Sequence, residues 1–269
     1  MFNLQRFMRL ANAHWTEYRK AYAWFIGIGV MIHFVVLLII FMGDHGYTNL
    51  STAGQQAIYY AGLFLTAPIF AARYFQLMAK KESALLILMR PASIFEKWLL
   101  AFIVVALLYP AVYTLAFYIC NTPAWLIAKT QASFVLIIDE GNAASVYRGN
   151  EYLDQYELFF IFRHTEAIGN LITVALSLTV LQAFAVLGSL YFRAMPFIKT
   201  MLIAFFILLA AIFLTAVFDA RIDAIFDYWS RQRHYLSAQQ QFLYPFMWTS
   251  LPVLLWLSCF FALKEKEVA

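Results

Sequence analysis

Apolar residues in this chain gather into six long runs, and charge and turn-forming residues return between them. The runs are 21–42, 56–75, 98–120, 167–192, 200–218 and 246–263. Each is close to the roughly 20 residues that a helix needs to cross a hydrocarbon core of about 30 Å. Within such a core a helix satisfies its own backbone N–H and C=O groups, which an open strand cannot do. The pattern predicts an all-α, polytopic membrane protein with six transmembrane helices. Helices one to three fill 21–120, helices four and five fill 167–218, and helix six fills 246–263.

The segments between the runs carry their own patterns. Residues 1–20 place Phe2, Leu4, Phe7, Met8, Leu10, Ala11 and Trp15 at helical spacings, with Arg6, Arg9, Arg19 and Lys20 among them. That predicts an amphipathic elbow helix lying on the membrane surface ahead of the first span. Residues 76–97 predict a short amphipathic helix over 80–89 and then an Arg90–Pro91 step, because proline disfavours helix at the residue before it. Ser93 then stands as an N-cap with Glu96 three residues on, the spacing of a capping box. The third helix is therefore expected to begin at about Ile94, with Glu96 and Lys97 at the membrane surface. Residues 121–166 form the largest non-membrane piece, a loop or small cap. Within it, 133–139 fits either a strand or a membrane-dipping helix end, and 151–164 reads as an aromatic amphipathic helix. Residues 219–245 predict interfacial helices, 191–199 a tight turn broken by Arg193 and Pro196, and 264–269 a short tail.

Charge orients this bundle. Of the 19 Lys and Arg residues, six (Lys129, Arg148, Arg163, Arg221, Arg231 and Arg233) fall in the segments on one side, and the remainder fall on the other. The basic side is cytoplasmic by the positive-inside bias. That places both termini and 76–97 inside and 121–166 and 219–245 outside, in a bacterial cytoplasmic (inner) membrane. No signal-peptide cleavage pattern precedes residue 21, so the first run is expected to stay as an anchor. A charged fraction of 13%, about half the soluble norm, agrees with membrane lipid as the principal surroundings. The net charge of +4 is small and scattered, which argues against nucleic acid as a partner. Cys120 and Cys259 fall within or at the ends of runs and read as small core residues rather than a disulfide.

Candidate chemistry is sparse. There is no glycine-rich phosphate loop, no His-Glu-x-x-His, no paired-cysteine metal motif and no Gly-x-Ser-x-Gly elbow. The sequence therefore offers no catalytic, cofactor-binding or metal-binding residues. No Asp or Glu falls in the middle of a run, which argues against a proton- or sodium-coupled carrier. His33 lies in the first run, where a neutral imidazole hydrogen-bonding a neighbouring helix is the expected role. Pro68, Pro110 and Pro252 are kink candidates of a kind that membrane helices tolerate.

The stretch Leu88-Met89-Arg90-Pro91-Ala92-Ser93-Ile94-Phe95-Glu96-Lys97-Trp98-Leu99 resembles the Pro-Ala-Ser-x-x-Glu-Lys pattern that follows the second span in permease subunits of type-2 ABC exporters. The elbow helix, the six spans and the outer helices between spans five and six are similar too. The resemblance implies a permease without catalysis of its own. ATP and Mg would be bound by a separate cytoplasmic ABC ATPase subunit, and the chain would pair with a second copy or a related permease. It also implies that Lys80, Lys81, Glu82, Arg90, Pro91, Ser93, Glu96 and Lys97 lie at or near the ATPase contact. The long 121–166 segment departs from the minimal family pattern and implies an outer cap. The alternative is a non-transport membrane protein, such as a sensor or assembly factor that binds a partner through its outer loops. A cysteine replacing Ser83 should react with a membrane-impermeant reagent only once the cytoplasmic side is opened. Labelling in intact cells would reverse the orientation.

Overall fold

The computed structural model describes residues 2–43, 50–75, 91–138, 157–161, 168–192, 195–218 and 238–268. Every regular element among them is helical: α1 (Leu4–Met42), α2 (Thr52–Tyr74), α3 (Ile94–Phe102), a π-helical turn (Ile103–Leu108), α4 (Tyr109–Ile138), α5 (Ile168–Tyr191), α6 (Pro196–Phe218) and α7 (Ala238–Val268). Four stretches are long and apolar enough to cross a membrane: Leu4–Met42, Ile94–Thr130, Leu171–Tyr191 and Pro245–Lys266. α6 contributes a shorter apolar helix over Phe197–Ile207. α2 is the least apolar of the six expected spans, with Gln55, Gln56, Tyr59 and Tyr60 in its first half.

Several boundaries differ from the sequence expectation. The elbow helix and first span form one helix, because no proline interrupts 4–42 and the side chains around residue 20 favour helix. The third helix continues past Cys120 to Ile138, so of the two alternatives for 133–139, strand or helix end, residues 133–138 are helical. The Asn-Thr-Pro at 121–123 reads as a breaker, yet Ala124 and Ala128 are buried with Leu37 and Leu50 in a small apolar cluster that carries the helix on. The last helix begins at Ala238 rather than 246 and takes in the tail, with Pro245 and Pro252 inside it. The expected start at Ile94 and the Ser93–Glu96 capping box are both present. α5 ends at Tyr191 and α6 opens on Pro196 at its first position, where proline costs no hydrogen bond. Met195 precedes it in the left-handed region, with φ 50°. Cys120 and Cys259 are free thiols, both buried. The expected amphipathic helix at 80–89, the parts of the outer loop at 139–156 and 162–166, and residues 219–237 of the outer segment 219–245 lie outside the described residues.

The chain divides into two compact units. The first comprises Met1–His14, Leu65–Tyr109 and Thr165–Ala269, and the second Trp15–Phe64 and Pro110–His164. In the first, α5 packs against α6, α7 and the π turn, and α3 packs against α7. Trp98 joins α3 to α7: its indole N–H donates to the Trp256 carbonyl at 2.9 Å, and its ring meets those of Trp256 and Phe260 edge-on. Buried Ala183, Ala185, Val186, Gly188 and Ser189 give α5 a narrow face. At Gly188 the Thr200 side chain of α6 occupies the space where a Cβ would stand.

In the second unit, fully buried Gln55 of α2 organises the packing. Its Nε2 donates to the carbonyls of Leu50 and Glu157, and its Oε1 accepts from Asn121 Nδ2 at 2.8 Å and from the Phe159 N–H at 3.1 Å. One turn further along α2, the Tyr59 ring meets those of Tyr113, Phe117 and Phe159. Gly62 admits the Tyr113 hydroxyl as Gly188 admits Thr200.

These contacts predict that Gly188→Ala lowers stability by about 1–3 kcal/mol through overpacking. Gly27, whose Cβ position meets nothing within 4 Å, should instead gain about 0.5–1 kcal/mol on substitution by alanine. Thermal unfolding of both variants in one detergent checks the sign of each change.

Candidate functional site

The capping box ahead of α3 is part of a larger cluster. Ser93 is extended, with φ −68° and ψ 154°, and its hydroxyl accepts from the Glu96 N–H at 3.3 Å. The Glu96 carboxylate returns the bond, with Oε2 accepting from the Ser93 N–H at 3.0 Å. The same carboxylate takes three more donors from the chain's beginning. Arg6 grips it in bidentate fashion, Nε to Oε2 and Nη2 to Oε1, each at 2.7 Å, and the Asn3 N–H donates to Oε1 at 2.9 Å.

Asn3 is the N-cap of α1. Its Oδ1 accepts from the N–H groups of Gln5 and Arg6 at 3.0 and 3.3 Å. Two helix beginnings therefore converge on one carboxylate, and both dipoles present their positive ends to it. Phe2 and Phe95 meet edge to face beside this cluster, 6.2 Å between centroids. Glu96 itself has no exposed surface.

The electrostatics follow from this geometry. Glu96 sits in the first turn of α3, ahead of the apolar run that opens at Trp98. The Arg6 guanidinium holds its carboxyl well below the ordinary carboxylate range, at about 2, against a burial that pushes it up; the N–H groups of Asn3 and Ser93 add to the depression. A carboxylate lowered in this way stabilises the fold above its ordinary value of 4.5 and loses that contribution as pH falls toward 2. Across the physiological range it stays charged, so the cluster is a fixed clamp rather than a pH switch.

Of the residues proposed from the sequence to face a partner, the structure brings Ser93 and Glu96 into one constellation. Lys97 is buried beside them, and its N–H donates to the Ser93 carbonyl at 3.1 Å. Pro91 is exposed at the start of the turn. Lys80, Lys81, Glu82 and Arg90 lie outside the described residues. Arg6 and Asn3 were missed as members of this site, because Arg6 read as one of several basic residues in an amphipathic leader. A buried carboxylate implies a cation, but the sequence gives no means of choosing which.

The buried amides Gln55, Asn121 and Gln182 were missed as well, since they carry no charge to draw attention. His33 packs edge-on to Phe117 at 5.3 Å, and its Nε2 is buried with no hydrogen bond among the described residues. Among the described residues no group of three His, Cys, Asp or Glu is placed to hold a metal ion. Comparison with protein-family models, curated proteins and solved structures finds no match to this chain.

Removing parts of the clamp should give graded losses. Ser93→Ala should cost about 1 kcal/mol as a lost cap. Arg6→Ala should cost more than Ser93→Ala yet less than the loss of Glu96, because the Arg6 side chain is 39% exposed. Glu96→Ala should cost the most, since it strands a cation and two backbone donors. Thermal melts of the three variants test this order, and wild-type melts should show no clamp-dependent change between about pH 5 and 8.

Proposed function

We propose that this chain is an integral membrane protein of six spans with both termini in the cytoplasm, and that it serves as the permease subunit of an ATP-driven exporter of the type-2 ABC class. One observation supports this reading above the others. The Pro91–Trp98 segment that resembles the family's pattern is also where a fully buried carboxylate ties the chain's first residues to the beginning of a long apolar helix. A solvated connection between two spans has no need of a carboxylate held by four N–H groups. A segment that receives a push from a partner and passes it into the membrane does.

In this reading the residues of 76–97 meet a cytoplasmic ATPase that binds and hydrolyses ATP with Mg. Closure of the ATPase pair displaces the segment. The clamp makes the displacement common to the start of α1 and the start of α3. Trp98 passes it on to α7 through its bond to the Trp256 carbonyl. A second copy or a related permease completes the pathway, and the bundle alternates the side to which its cleft opens. The chain contributes no chemistry to hydrolysis.

Purified to homogeneity, the chain should show no ATPase activity, and a tagged copy drawn from native membranes should bring an ABC-type ATPase with it. In the reconstituted complex, Glu96→Gln should still reach the membrane and bind the ATPase, yet lose most substrate-stimulated hydrolysis. Ser93→Ala, which keeps the Arg6–Glu96 bond, should retain it. Equal behaviour of the two variants, or vigorous hydrolysis by the solitary chain, would count against the permease reading.

A further inference from the structure

The third helix changes its hydrogen-bond register directly after α3. The Ile103 N–H is shared between the carbonyls of Leu100 and Leu99, three and four residues back. Over Ile103–Leu108 the ladder widens, and the Tyr109 N–H reaches back five residues to the Val104 carbonyl. The next donor in this register would be residue 110, reaching the Val105 carbonyl. That residue is proline and has no N–H. Val105 is fully buried, so its carbonyl has no solvent to turn to.

Gln182 of α5 supplies the donor instead, its Nε2 lying 2.8 Å from the Val105 oxygen. This bond fixes which way the amide faces. It leaves Gln182 Oε1, in a side chain with no exposed surface, without a hydrogen-bond partner among the described residues. Among the described residues Gln182 thus makes one side-chain hydrogen bond, and its oxygen goes unsatisfied.

An α register offers the same segment a different arrangement. There the Tyr109 N–H would serve Val105, and the carbonyl facing the proline would be that of Ala106, about 100° further round the helix. Val105 would then be satisfied by Tyr109, and a Gln182 bond to its second lone pair would no longer replace a missing donor. The bond therefore contributes more in the π register than in the α register. π turns of this kind recur at functional sites.

We propose that Gln182 stands in for the N–H that Pro110 lacks and thereby locks Ile103–Leu108 in its π register, so that releasing this one bond frees the third helix to change register at a built-in joint. A shift to the α register turns the helix beyond residue 108 by about 100° relative to the helix before residue 103. Tyr109 would leave its present partners, the Thr66 hydroxyl that it donates to at 2.6 Å and the Phe70 ring stacked on it at 4.5 Å.

Two double-mutant cycles on the full-length protein in detergent, read as unfolding midpoints, test the proposal. Gln182→Leu should lower the midpoint by about 5 °C when residue 110 is proline. It should lower it by less than half as much in Pro110→Ala, where residue 110 regains a donor. In the second cycle, Thr66→Val should lower the midpoint of the native chain but have little effect in Gln182→Leu, because Tyr109 has turned away. Additive losses in the first cycle overturn the stand-in donor, and additive losses in the second overturn the register lock. If Gln182→Leu yields no folded protein, Gln182→Met, which also lacks the donor, takes its place in both cycles.

Discussion

The Glu96 carboxylate has no exposed surface and takes its hydrogen bonds from the N–H groups of Ser93 and Asn3 and from two N–H groups on one edge of the Arg6 guanidinium. A buried charge is tolerated only when it is paired and its lone pairs are filled, and this one demand organises the surrounding structure. It requires the chain's first residues to return to the start of α3. It requires Asn3 to cap α1 so that its own N–H faces the carboxylate. It also fixes Ser93 in the extended conformation from which α3 begins. The bidentate geometry is one that lysine could not reproduce, which separates Arg6 from the other basic residues of the leader.

A second constraint runs through the long helices. Five prolines lie inside helical segments: Pro68, Pro110, Pro123, Pro245 and Pro252. Each removes a donor that apolar surroundings do not replace. The chain carries hydroxyls that bond back to the backbone near several of them: Thr114 to the Pro110 carbonyl, Thr122 to Tyr118 and Thr249 to Pro245. At Pro110 the compensation comes from another helix, through Gln182. That makes the residue 103–110 turn the place where the third helix's backbone depends on a tertiary contact.

The clamp and the π turn stand at opposite ends of α3, a helix of nine residues. Between them Trp98 and Phe102 stack on each other and meet Trp256 of α7. α3 is thus a short, stiff element with a fixed beginning and an end held by one side-chain bond. In the permease reading, such an element transmits a displacement received at residues 93–97 into the apolar part of the first unit.

Much of the architecture was legible in the sequence, because the solvent for the chain is written in its composition. Runs of apolar residues near span length can be read without knowing what they touch, and so can the Ser93–Glu96 box, whose partners lie three residues apart. Helix ends were less legible at Asn121–Pro123 and at Pro245. Local turn signals there are outweighed by burial, as with Ala124 and Ala128 against Leu37 and Leu50. The choice of Arg6 for Glu96 and of Gln182 for Val105 joins residues 90 and 77 positions apart. Nothing local distinguishes these residues from their neighbours. Sequence alone determined where helices form and which surroundings they suit, since both follow from short-range pattern and transfer energy. Tertiary structure decided which polar groups satisfy one another, because that depends on which helix faces lie together.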